Sequence, residues 1–123
     1  MVGKTNKFNG ITSVAEKELD LLNRHIDVLK TVKEHGPIGI IKLSKMTGQP
    51  QHMIRYSLRT LENDGVIKPS PQGAVVTDKV HKTLNTIETT LEDFTVMVQN
   101  LRKNLMTSFL LRKQKNSNLN LNL

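Results

Sequence analysis

The chain has 123 residues, a formal net charge of +7 and a sequence pI near 9.9, which fits one small domain plus an extension rather than two independent cores. It contains no cysteine and only 3% aromatic residues, so disulfides, thiolate zinc sites, cysteine nucleophiles and the stacking platforms of single-strand and RNA binders are excluded. The basic surplus favours an anionic partner such as nucleic acid or an acidic membrane surface without choosing between them, and among nucleic acids the duplex passes the aromatic filter best. The N-terminus MVGKTNKFNG has no apolar signal region, and no run of about 18 apolar residues occurs. A cytoplasmic protein without a membrane span is expected.

Residues 1–12 are polar, rich in Gly and Asn and without period, and are expected to form a flexible arm. Ser13 followed by Glu16 fits a capping box. Ala15, Leu19, Leu22, Ile26 and Leu29 then recur at helical spacing until Gly36-Pro37 stops the run. Residues 38–41 are apolar, and Leu43 and Met46 continue them as a compact second helix ending at Gly48. Pro50 suits the first turn of a third helix over residues 50–64, which Gly65 closes as a left-handed cap.

The third helix has two chemistries. Ile54, Leu58 and Leu61 form its expected core face, while Gln51, His52, Arg55, Tyr56 and Arg59 share the opposite face with almost no acid among them. Arg can donate two hydrogen bonds to guanine, and Gln can do the same for adenine. Two β-prone runs at 66–68 and 74–77 flank Pro69-Ser70-Pro71-Gln72-Gly73, which predicts a hairpin. Between residues 36 and 77, Lys42, Lys45, Arg55, Arg59 and Lys68 stand against Glu62 and Asp64, a balance of the sign that duplex binding needs.

The segment LSKMTGQPQHMIRYSLRTLENDGVI, residues 43–67, resembles the core of winged helix-turn-helix transcriptional regulators of the MarR, ArsR and related archaeal kinds. The match is carried by Leu43-Ser44, then Ile54, Leu58 and Leu61, then Leu61-Glu62, Gly65 and Val66-Ile67, and it extends over roughly residues 20–80. The resemblance implies a mainly α fold with a small β-hairpin wing over residues 13–77. It also implies that the third helix enters the major groove of double-stranded DNA. Gln51, His52, Arg55, Tyr56, Arg59, Lys45 and Lys68 are the expected DNA-binding residues. The wing offers only Lys68 beside Ser70 and Gln72, a poor set for the minor groove. Two alternatives belong to other classes: a winged-helix interaction module that never touches DNA, and a sequence-tolerant archaeal chromatin protein.

From Asp78 onward there is no proline or glycine, and Val80, Leu84, Ile87, Leu91, Phe94, Val98, Leu101 and Leu105 alternate spacings of four and three. These are a and d positions of a coiled coil. A helix over residues 78–113 would run roughly 50 Å at 1.5 Å per residue, more than so small a domain can cover. Homodimerisation through Leu84, Ile87, Leu91, Phe94, Val98, Leu101 and Leu105 is therefore expected. An antiparallel register centred between Glu92 and Asp93 would match every apolar layer, Val80 with Leu105 included, but flanking charges do not fix the strand direction. Residues 114–123, ending in alternating Asn and Leu, are expected to fray.

Catalytic and cofactor readings find little support. His25, His35, His52 and His81 show no metal-ligand spacing, Asp78 and His81 alone do not make a metal site, and Ser44 and Ser57 have no evident base partner. The chain is expected to be no enzyme and to carry no cofactor or metal.

Overall fold

The computed structural model describes residues 10–121, with side chains through residue 116. In chain order it has α1 (Ser13–His35), α2 (Ile40–Thr47), α3 (Gln51–Asn63), β1 (Ile67–Ser70), β2 (Gly73–Val76) and α4 (Val80–Leu121). The fold is mainly helical with one small antiparallel two-stranded sheet and a long C-terminal helix. It divides into two compact units between His81 and Lys82.

In the first unit, α1, α2 and α3 pack on one another, with β2 against α1 and β1 against α3. The core comprises Val28, Leu29 and Val32 of α1, Leu43 of α2, Ile54 and Leu61 of α3, and Ile38, Val66, Ile67 and Val80 from the connections and flanking elements. Burial in α1 therefore falls in its second half. Ala15 and Leu19, expected on its core stripe, are exposed. The cap of α1 is shifted by one residue from Ser13: Thr12 is the N-cap, and its hydroxyl donates to the Glu16 carboxylate at 3.0 Å.

The connection from α1 to α2 differs most from expectation. Ile38 does not start α2 but forms an antiparallel bridge with Ala74, its N–H donating to the Ala74 carbonyl at 3.2 Å and its own carbonyl accepting from the Ala74 N–H at 2.9 Å. A buried β-branched residue beside an open strand edge gains two backbone bonds there that a helix start would not provide. Gly73 makes this approach possible. Its φ is +126°, and a Cβ on it would stand 2.4 Å from the Ile38 carbonyl carbon, so no other residue fits without displacing the bridge.

The end of α3 is a Schellman motif, in which Val66 N–H donates to Leu61 O at 3.1 Å and Gly65 N–H to Glu62 O at 2.9 Å, with Gly65 at φ +74°. Pro50 is the N-cap of α3 rather than its first helical residue. The hairpin is tighter than its composition implied, since Pro69 pairs with Ala74 and Ser70 with Gly73, leaving only Pro71 and Gln72 to turn. Thr77 closes the unit: its N–H donates to Val66 O at 2.9 Å and its hydroxyl to Gly65 O at 2.6 Å.

The second unit is α4 beyond His81. Its helix reaches Leu121, past the end expected near residue 113. No Pro or Gly supplies a stop, and Asn116, Asn118 and Asn120 each weaken a helix by only about 0.7 kcal/mol. Leu84, Ile87 and Leu91 are half-buried, whereas Phe94, Val98, Leu101 and Leu105 are exposed. Residues 1–9 of the expected arm, and residues 122 and 123 of the expected frayed tail, lie outside the described residues. Among the described residues, no helix is long and apolar enough to cross a membrane.

Candidate nucleic-acid interface

The face that α3 turns outward follows from what it buries. Ile54, Ser57 and Leu61 face the core and Leu58 is half-buried, which corrects the expected Ile54, Leu58, Leu61 stripe. The buried arc is centred between Ile54 and Ser57 because α1 lies on that side and meets α3 through a polar contact. At 100° per residue the opposite arc must then carry His52, Arg55, Tyr56 and Arg59, with Gln51 at its edge, and all five are exposed. No acidic residue occupies the first turn of α3, so no carboxylate offsets the positive end of the helix dipole there.

Arg55 and Gln51 border an open groove of about 710 Å³ whose other wall is α2, contributing Gly39, Ile40, Ile41, Lys42 and Lys45. Three cations and one amide thus converge on one concavity. Lys45 was expected at the interface. Lys42 was not, although its spacing of three from Lys45 places both on one helical face.

Lys68 is not part of this cluster. It is exposed on β1 and lines a separate, smaller cleft with Leu58, Glu62, Pro69 and Ser70. The hairpin tip is Pro71 and Gln72, neither of them charged, and Ser70 braces it by donating to Gly73 O at 2.6 Å. His52 and Arg59 stand on the open face without lining either cavity.

Tyr56 is divided between the face and the packing. It is 48% exposed, yet its ring lies 5.8 Å from that of His25 on α1, tilted by 32°. The same His25 corrects the reading of Ser57 as a serine without a base: His25 Nδ1 and Ser57 Oγ are 2.8 Å apart. Ser57 is fully buried, so the pair ties α1 to α3 and offers no accessible nucleophile. Burial lowers the His25 pKa, the neighbouring Arg24 lowers it further, and Asp64 opposes both. Sequence spacing gave no sign of this pair, whose members are 32 residues apart.

Among the described residues, no group of three or more His, Cys, Asp and Glu side chains gathers closely enough to hold a metal ion. No family model matches the sequence, and no curated protein matches it. Among solved structures the chain is similar to a protein of unknown function from Listeria innocua Clip11262, at 19% identity over 76% of this chain and 88% of that one, with a TM-score of 0.46.

Proposed function

We propose that this chain is a winged helix-turn-helix protein that binds double-stranded DNA as a cytoplasmic homodimer and acts as a transcriptional regulator, with α3 as the element that enters the major groove. The observation that carries the reading is the outer face of α3, acid-free in its first turn, where Gln51 and Arg55 line a groove with Lys42 and Lys45 of α2 and Arg59 is exposed farther along the helix. Arg and Gln supply donors matched to base edges, and the lysines supply charge for phosphates on either side of the groove. The order of three helices followed by a hairpin, with Ile38 bridged to its edge, is the layout such a domain requires. Contact through the hairpin is a minor part of the reading, because its tip carries no cation.

Homodimerisation through α4 complements a weak single reading head. Two heads on one duplex multiply affinity when their spacing suits the helical repeat of about 34 Å. Selection of bound duplexes from a random pool tests the reading directly. Enrichment of a two-part motif, with log affinity falling linearly with log salt, is the expected result. Tight binding without any enriched motif would instead indicate a sequence-tolerant chromatin protein. Absence of duplex binding at low salt would leave the interaction module.

A further inference from the structure

Apart from His81 and Lys82 at its start, α4 carries its charges in two blocks. Glu88, Glu92 and Asp93 come first, and Arg102, Lys103, Arg112, Lys113 and Lys115 follow. Its apolar stripe opens in the same direction: Phe94 is 38% exposed, Val98 49%, Leu101 66% and Leu105 57%. An exposed stripe of this kind marks an association surface. Val80, at the head of the stripe, is only 5% exposed and sits in the core of the first unit, so it is not available to a partner.

These observations choose among the ways two copies of α4 can pair. Parallel pairing in register sets acid beside acid and base beside base. Its g and e neighbours would be Thr83 with Glu88, Thr90 with Thr95 and Met97 with Arg102, with no ion pair among them. Antiparallel pairing centred between Glu92 and Asp93 requires Val80 to face Leu105, which the burial of Val80 forbids. Sliding the antiparallel pair by one heptad removes that demand. Ile87 then meets Leu105, Leu91 meets Leu101 and Phe94 meets Val98, each layer occurring twice by symmetry. The e position Glu88 comes level with Arg102 of the second copy, and each acidic block lies toward the other copy's basic block.

We propose that α4 pairs antiparallel with α4 of a second copy of this chain in this register, centred on Val96, with Glu88 and Arg102 forming the flanking ion pairs. This rests on the homodimer reading above and is independent of DNA binding.

Because the chain has no cysteine, single introduced cysteines report the register in the full-length protein. In the proposed pairing the two copies of Met97 face each other across the symmetry axis, offset by about 3 Å along the helices, whereas the two copies of Leu101 are offset by about 15 Å along them. Met97→Cys is expected to give a covalent dimer with a short bis-maleimide, and Leu101→Cys is expected to stay monomeric on a denaturing gel. Glu88→Arg should weaken dimerisation roughly tenfold in sedimentation equilibrium, and adding Arg102→Glu should restore it. Any cross-link of Leu101→Cys, or none of Met97→Cys, overturns the register. A dimeric mass alongside that failure would preserve the homodimer reading, and a monomeric mass would overturn both.

Discussion

His25 Nδ1 and Ser57 Oγ lie 2.8 Å apart where α1 meets α3, and this contact helps fix the rotation of the helix that carries the candidate interface. Ser57 occupies a fully buried position between Ile54 and Leu61. A hydroxyl there requires a partner, and the imidazole that supplies it also lies against Tyr56. Ser57→Ala removes the partner of a half-buried ring nitrogen and should lower stability by about 1 kcal/mol, measured by urea unfolding.

The same pair predicts a pH dependence. Burial and Arg24 hold the folded-state pKa of His25 below its ordinary 6.5, against a smaller opposing pull from Asp64. The unfolded chain therefore takes up the proton more readily than the folded one. The contribution of His25 to stability is complete above its ordinary value and is lost as pH falls through 6.5 toward the lowered folded-state value. Melting temperatures recorded from pH 8 to pH 5 should show this decline in the wild type and less of it in His25→Gln.

The glycines should rank by what a side chain would meet. Gly48 and Gly73 both have positive φ, but an added Cβ meets nothing within 4 Å at Gly48 and lies 2.4 Å from the Ile38 backbone at Gly73. Gly48→Ala should cost about 1–2 kcal/mol, the left-handed strain alone. Gly73→Ala should cost more and also expose the Ile38 and Ala74 amides to hydrogen exchange, because the bridge must part.

Truncations on α3 separate the core from its flank. Ile54 is completely buried and Leu58 half-buried. Ile54→Ala should lower stability by about 2–5 kcal/mol, and Leu58→Ala by distinctly less in the same denaturant titration. Equal losses would mean that Leu58 carries the core weight its spacing implied.

The proposed reading head predicts a division of labour in fluorescence anisotropy with duplex DNA. Arg55→Ala and Arg59→Ala should each weaken binding to the selected sequence by about 1–3 kcal/mol with unchanged melting temperature. Lys42→Ala should weaken all sequences alike and reduce the salt slope by about 1. Lys68→Ala should change little, since it lies in a separate cleft lined also by Glu62. Unchanged affinity in both arginine variants would refute the assignment of α3.

Much of this was legible in the chain itself. The spacing of Leu22, Ile26 and Leu29, the prolines and glycines at 36–37, 48, 50 and 65, and the β-prone runs around Pro71 placed the elements of the first unit within a few residues, because these signals act through local backbone geometry, while the end of α4, which no Pro or Gly marks, was misplaced by eight residues. The outer face of α3 was legible for the same reason: once Ile54 and Leu61 point inward, helical period alone puts Arg55 and Arg59 outside.

Tertiary structure decided what depends on neighbours distant in sequence. Ile38 became a bridge because the edge of β2 lay beside it, Ser57 a core residue because His25 reached it, and Lys68 a member of a different cleft because the hairpin turned it away from the groove. Val80 likewise left the apolar stripe of α4 for the first unit's core, which is why the pairing proposed above is displaced by one heptad. Periodicity specifies which residues share a face. Only packing specifies which part of that face is already covered, since burial is a property of the contacts that long-range closure creates and not of the segment that carries the residue.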